Sequence, residues 1–186
     1  MTTAPAALAP ALRRLYITRF GFALVWAALL LVTAAHIGPL TAALIVLYPL
    51  FDVAAAVVDL RSSGGAGLRV NIAVSALAAV GLAVALAAGV PAVLRVWGAW
   101  AVASGVVQLV VAVRRRRLGG QWAMIASGAI SVLAGASFVL MAANPEASLA
   151  GVGGYALLGG VFFLVSALRL GRPAARAVTG RPSGAH

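Results

Sequence analysis

Acidic residues, lysine and cysteine are scarce or missing in this chain of 186 residues. Three acidic side chains stand against 14 basic ones, every basic one is an arginine, and there is no cysteine. Without cysteine the chain forms no disulfide, thiolate metal site or thiol nucleophile. Beyond the arginines and three tyrosines, the ionisable side chains are Asp52, Asp59, Glu146, His36 and His186. These are too few for an acid–base pair and a metal shell, so we expect no enzymatic activity, catalytic residue, cofactor or metal.

Apolar residues dominate what is present. Hydrophobic residues make up 63% of the chain and charged residues 9%, with a mean hydropathy of +1.08. A soluble domain carries about 25% charged residues, so the composition indicates an integral membrane protein. The high isoelectric point does not indicate nucleic-acid binding, because the arginines flank apolar stretches and form no basic face interleaved with aromatics.

The uncharged stretches predict six membrane-spanning helices. A spanning helix needs about 20 mostly apolar residues. The first uncharged stretch, residues 20–51, is too long for one helix and contains His36-Ile37-Gly38-Pro39, where glycine and proline indicate a tight turn. We therefore expect an all-α integral membrane fold. The predicted spans are 16–36, 39–60, 69–89, 92–113, 120–142 and 148–169.

The arginines predict the orientation of these spans. The first, third and fifth loops are short and nearly uncharged, whereas the second and fourth are basic. With six spans, 13 of the 14 arginines lie on one side of the membrane and Arg95 alone lies on the other. Positive charge favours the cytoplasmic side, so we expect both termini in the cytoplasm of a bacterium and the protein in its inner membrane.

A cleaved export signal is the alternative interpretation of the first span. Arg13-Arg14 precedes an apolar run, and Val32-Thr33-Ala34 loosely resembles a cleavage site. Cleavage would leave five spans and would invert the charge asymmetry of the remaining chain. The sequence therefore favours an uncleaved first span.

The two ends differ from the spans in composition. We expect residues 1–12 and 171–186 to be disordered and residues 13–170 to form the transmembrane domain. The basic tail is expected along anionic headgroups of the bilayer. The sequence leaves open whether the chain binds a protein partner or forms a homo-oligomer.

Internal repetition predicts three parallel helical hairpins, at about 13–62, 68–117 and 120–170. When the even spans are aligned on the arginine that ends each of them, Asp52, Gly105 and Gly160 occupy the same position. Gly98 and Gly153 coincide seven residues earlier. In the odd spans Arg19, Arg69 and Gln121 align at the cytoplasmic start, and Ser75 aligns with Ser127.

Small residues indicate how these spans pack. Ser127, Ser131 and Gly135 follow one another at four-residue spacing in the fifth span. Such rows let helix backbones approach closely in lipid. We interpret these residues, together with Gly98, Gly105, Gly153 and Gly160, as sites where helices of the same chain pack together. The alternative is that they form the interface of a dimer. Trp97, Trp100, Trp122 and Tyr16 are expected at the membrane interfaces.

The layout resembles the HdeD family of acid-resistance membrane proteins. The resemblance covers about residues 14–170 and depends on the three hairpins, on Arg19-Phe20-Gly21 and on the glycines at 98, 105, 153 and 160. It implies a six-span inner-membrane protein linked to survival at acid pH or related stress, with no catalytic residues. The chain departs from its own repeat at Asp52, where the sister copies have glycine.

Asp52 is the most informative polar residue. It lies nine residues before Arg61, which is about 13 Å along a helix and therefore close to the middle of the bilayer. A carboxylate at that depth must face protein or water. The sequence leaves two interpretations open, a proton- or cation-binding group or a structural carboxyl bonded to Tyr48, Asn71 or Ser75.

The remaining polar residues have simpler interpretations. Asp59 is expected to pair with Arg19, Arg61 or Arg69 at the cytoplasmic end, with a proton relay to Asp52 as the alternative. On the other side, Arg95 and Glu146 are expected to pair across hairpins.

Three hypotheses for function follow. The first is a non-enzymatic, HdeD-like stress or acid-resistance membrane protein. The second is a small proton-coupled transporter or channel that uses Asp52. The third is a membrane assembly or scaffold subunit that uses the small-residue rows.

Overall fold

Six long α-helices make up most of the chain. The computed structural model describes residues 4–170, with side chains described from Leu8 onwards. The helices, in chain order, are α1 Ala4–Thr33, α2 Pro39–Ser63, α3 Ala66–Ala85, α4 Val90–Arg114, α5 Gln121–Met141 and α6 Ala150–Arg169. All six are long and apolar enough to cross a membrane, which confirms the prediction of an all-helical fold with six candidate spans.

Five of the six helices begin and end within four residues of the predicted spans, and α1 differs. Disorder was expected for residues 1–12, but α1 already begins at Ala4. Leu12 is 1% exposed and packs with Ala112, Met124 and Leu170. These contacts pack α1 around Leu12 against the other helices. Residues 1–3 and the basic tail at 171–186 lie outside the described residues.

The helices form a closed ring in which each packs against its two neighbours in the chain, and α6 packs against α1. Side-chain contacts show that neighbours are antiparallel: Trp26 of α1 donates to the carbonyl oxygen of Leu44 on α2, and Arg19 bonds to Asp52 further along. The most extensive packing joins α4 to α5, α1 to α6 and α2 to α3.

The ring has two unlike ends. The connections at 64–65 and 115–120 lie at one end, together with nine of the eleven arginines among residues 4–170, while Arg19 lies about halfway along α1. We call this the arginine-rich end. The other end, the turn end, holds the connections at 34–38, 86–89 and 142–149 and carries Arg95.

Glycine lets α4 and α5 approach closely. A Cβ atom added at Gly98 would lie 2.5 Å from the carbonyl oxygen of Gly135, and one added at Gly105 would lie 2.9 Å from that of Gly128. Since the hydrophobic effect does not drive helices together in lipid, such close van der Waals contact supplies much of the attraction. Gly153 and Gly160 face Leu31 and Ala23 of α1 in the same way, at 3.0 Å.

The main apolar core fills the half of the ring next to the turn end. Trp26, Trp97 and Trp100 lie in it, 1%, 0% and 6% exposed. The expectation that Trp97 and Trp100 lie at the interface is therefore wrong, because both side chains are buried inside the ring, where their rings meet edge to face. Tyr16 is also buried, whereas Trp122 is 51% exposed.

Replacing Gly98 by alanine is expected to destabilise the protein by about 2–3 kcal/mol, since the new methyl group meets backbone atoms that cannot move aside. The matched control is Gly154→Ala on α6, where an added Cβ meets nothing within 4 Å and alanine favours the helix by about 0.5–1 kcal/mol. The free energy of unfolding in mixed detergent–SDS micelles measures both. Equal effects of the two substitutions would contradict the close α4–α5 contact.

Candidate functional site

An ion pair lies between α1 and α2, about halfway along both helices. One guanidinium nitrogen of Arg19 lies 2.6 Å from Oδ1 of Asp52. The two side chains are 15% and 14% exposed, so both charges are largely removed from solvent. The guanidinium also lies over the ring of Phe163 on α6, 4.9 Å from its centroid, an arrangement that favours a cation.

Asp52 accepts hydrogen bonds from two side chains of α3, one of which is bonded in turn to α4. Its Oδ2 accepts from Nδ2 of Asn71 at 2.6 Å and from the hydroxyl of Ser75 at 2.7 Å, both on α3. Nε1 of Trp100 on α4 in turn donates to Ser75 at 3.0 Å. The carboxylate therefore has both oxygens occupied, and its network joins four of the six helices.

Of the three predicted partners of Asp52, Asn71 and Ser75 bond to it, whereas Tyr48 does not in the described part of the chain. Arg19, which the sequence places at the cytoplasmic start of the first span, is the partner that was not predicted. The distances of Arg19 and Asp52 from the turn between α1 and α2 indicate this pairing. Arg19 lies 14 residues before the end of α1 at Thr33, and Asp52 lies 13 residues after the start of α2 at Pro39. In an antiparallel pair these nearly equal distances place both residues at about the same depth.

Asp59 forms a second ion pair nearer the arginine-rich end. Its carboxylate accepts two bonds from Arg115, at 2.8 and 2.9 Å, and one from the hydroxyl of Ser63 at 2.7 Å. Burial acts to lower the pKa of Arg115, but the hydrogen bonds and the negative charge of Asp59 outweigh it and raise the pKa above its ordinary value.

The expected partners of Asp59 were Arg19, Arg61 or Arg69, and this expectation is wrong. Arg19 is engaged with Asp52, and Arg61 and Arg69 are exposed on the surface of the ring. Arg115 follows directly after the last residue of α4, where its side chain turns back towards α2. Asp59 lies about 10 Å from Asp52 along the helix axis.

A cavity of about 120 Å³ connects the two ion pairs. Tyr16, Asp59, Arg115 and Gln121 line it near the arginine-rich end. Its wall extends along α5 as far as Ser131, ten residues beyond Gln121, which is about 15 Å and about half the thickness of a bilayer core.

Aromatic rings close the cavity on the side of the turn end. Tyr48 and Trp100 line its deepest part. Tyr48 packs its ring against Trp26 at 4.5 Å and against Trp97 at 5.6 Å between centroids. The cavity therefore penetrates only the half of the ring that faces the arginine-rich end.

Amides and hydroxyls from α4, α5 and α6 form the wall opposite the ion pairs. Nε2 of Gln108 donates to the carbonyl oxygen of Met124 at 3.1 Å, and the hydroxyl of Tyr155 bonds to that of Ser131 at 2.9 Å. Ser127 and Gly105 also line the cavity. Oε1 of Gln121 is buried and has no hydrogen-bond partner in the described part of the chain.

Other predicted residues lie away from this cavity. Arg69, which the repeat aligns with Arg19 and Gln121, is exposed and does not line it. Arg95 and Glu146 are both exposed at the turn end and form no ion pair with each other within residues 4–170. Within the same residues, no three His, Asp or Glu side chains come together as metal ligands would.

Comparison with known proteins identifies one repeat. The family model described as "Short repeat of unknown function (DUF308)" matches residues 72–140, a little over a third of the chain, from early α3 to the end of α5. No curated protein and no solved structure matches the chain. The matched segment contains Ser75, Trp100 and the close glycine contacts between α4 and α5, whereas Arg19 and Asp52 lie before it.

The Arg19–Asp52 pair is expected to behave as one unit in a double-mutant cycle. Asp52→Asn alone leaves Arg19 buried without a counter-charge, so we expect a loss of about 3 kcal/mol, the lower end of the range for a broken buried pair. Arg19→Gln with Asp52→Asn removes both charges and is expected to cost less than the sum of the single substitutions. Arg61→Gln, which removes an exposed charge from α2, is the control and should have little effect.

Unfolding free energies of the four variants in mixed micelles measure this coupling. Additive effects of Arg19→Gln and Asp52→Asn would contradict a stabilising ion pair.

Proposed function

We propose that this chain is a non-enzymatic inner-membrane protein of the HdeD type that supports survival under acid or general stress. The observation that carries the proposal is the match of residues 72–140 to the DUF308 repeat, the repeat of the HdeD-like family, in a chain with six helices able to cross a membrane. The repeat itself is of unknown function, so the physiological role is the part to be tested.

The contacts in the ring support three parallel hairpin repeats. The interfaces α2–α3, α4–α5 and α6–α1 each join the end of one predicted hairpin to the start of the next, and they pack more extensively than the helices within hairpins. Three equivalent interfaces are what a three-fold arrangement about the membrane normal produces. The arginine-rich end supports an orientation with both termini in the cytoplasm.

In that orientation, the charges that stabilise the ring are shielded from acid outside the cell. Acid unfolds proteins largely by protonating paired carboxylates. Of the paired carboxylates, Asp59 lies near the arginine-rich end and Asp52 about halfway along α2, so neither lies at the turn end. The turn end presents His36, Arg95 and Glu146, all exposed. External acid therefore meets no carboxylate on which a described ion pair depends.

Acid challenge of a bacterial strain tests the proposal. A strain that lacks its HdeD-type proteins is expected to regain survival in strongly acidic medium when it expresses the wild-type chain. Gly98→Leu, which places a large side chain against the backbone of α5, is expected to return survival to that of the deletion strain, and Gly154→Ala is expected to keep it. Equal survival with and without the wild-type chain, at verified membrane levels of protein, contradicts the proposal.

A proton-coupled transporter or channel is the second candidate, and the position of Asp52 favours it. Asp52 lines a cavity that penetrates half of the ring, and protonation of its carboxylate would release Arg19. Ionisable residues inside membranes commonly mark ion or proton paths. The scaffold hypothesis has less support, because Gly105 and Gly160 face α5 and α1 of the same chain.

Proton flux into liposomes that contain the purified protein distinguishes this second candidate. If Asp52 carries protons, wild-type liposomes with an entrapped pH dye should show flux down a pH gradient, and Asp52→Asn should abolish it. Glu146→Gln removes an exposed carboxylate at the turn end and should leave the flux unchanged. Wild-type liposomes as tight as protein-free ones would exclude proton transport by this chain alone.

A further inference from the structure

The ionised groups on the cavity wall balance one another. Arg19 is paired with Asp52, and Arg115 with Asp59. Each pair is already hydrogen-bonded, so an ionic ligand would have to break a pair to find a counter-charge. Burying an ion without such a partner is unfavourable. The cavity is therefore suited to an uncharged molecule.

Hydrogen-bond acceptors remain free on the wall. Asn71 uses its Nδ2 to bond Asp52, and Gln108 uses its Nε2 to bond the carbonyl oxygen of Met124, which leaves the oxygen of each amide. Gln121 is 1% exposed, and its Oε1 is buried without a partner. Buried polar groups in proteins are nearly always hydrogen-bonded. Since Gln121 lines the cavity, a ligand that donates an N–H or O–H would satisfy this oxygen.

The rest of the wall is apolar, which limits the body of the ligand. Phe51, Val107, Val111 and Phe163 are among its lining residues. Ligand sites typically combine such surfaces with a few placed polar groups. An apolar cavity of about 150 Å³ holds a benzene ring, so the slightly smaller volume of about 120 Å³ limits the ligand to about one ring.

We propose that the cavity is a binding site for a small uncharged molecule, about one ring in size, with an apolar body and a single hydrogen-bond donor. Phenol is the simplest molecule of this kind. The donor bonds Oε1 of Gln121, and the ring lies among the apolar side chains. This binding goes beyond the stress function proposed above and does not depend on it.

Fluorine NMR with para-fluorophenol tests the proposal on the full chain in lipid nanodiscs. Wild-type protein is expected to broaden the fluorine resonance beyond the effect of empty nanodiscs, which report partition into lipid. Para-fluorotoluene has the same shape without the donor and is expected to be broadened less.

Two substitutions locate the binding. Ala56 lines the cavity and is 2% exposed, so Ala56→Leu fills the space and should abolish the excess broadening. Ala43→Leu is its matched control on the exposed face of α2 and should leave the broadening unchanged. Gln121→Met keeps the side-chain length without the amide, and it should reduce the broadening of fluorophenol to that of fluorotoluene.

The outcomes separate the parts of the proposal. Broadening no greater than that of empty nanodiscs, or equal broadening by wild type and Ala56→Leu, overturns the site. Equal broadening of the two ligands by wild type overturns the role of the donor. If Ala56→Leu fails to fold, as judged by gel filtration, Gln121→Met decides the question.

Discussion

The pairing of Arg19 with Asp52 constrains the whole ring. A charge inside a bilayer is tolerated only against a counter-charge, polar groups or water, and here the carboxylate meets a guanidinium at 2.6 Å and receives bonds from Asn71 and Ser75. Since these groups come from α1, α2 and α3, and Trp100 of α4 bonds to Ser75, four helices must keep one register relative to each other. A slip of any of them would leave a charged or polar group unpaired in an apolar surrounding.

The two halves of the ring solve the packing problem differently. Towards the turn end, aromatic rings and large aliphatic side chains fill the centre, with Trp26 and Trp97 stacked at 5.5 Å. Towards the arginine-rich end, the ion pairs and their amide neighbours surround a cavity. Apolar side chains of complementary shape fill a protein interior without voids. Charged groups are held at fixed hydrogen-bond geometry, so the space between them is not filled. The polarity of this half therefore explains why the opening lies there.

Hydropathy and charge were sufficient to predict the helices but not the register between them. Five helices follow from uncharged stretches that turns separate, because the cost of exposed backbone in lipid makes such stretches helical. Arg19 was interpreted as a residue that sets orientation, and a count of charges on each side of the membrane cannot tell it from Arg69. Its partnership with Asp52, like that of Arg115 with Asp59, depends on which faces of antiparallel helices meet. Trp97 and Trp100 were misplaced for the same reason.

One departure from the predicted internal repeat bears on the asymmetry of the ring. At the position nine residues before the terminal arginine, α4 and α6 carry Gly105 and Gly160, which let α5 and α1 approach closely. The same position in α2 is Asp52, at the interface with α3. A carboxylate there cannot be covered by backbone contact, so it holds α3 through hydrogen bonds and draws in Arg19 as its counter-charge. The interfaces α4–α5 and α6–α1 thus close on glycine, whereas α2 and α3 are joined by polar groups that also line the cavity.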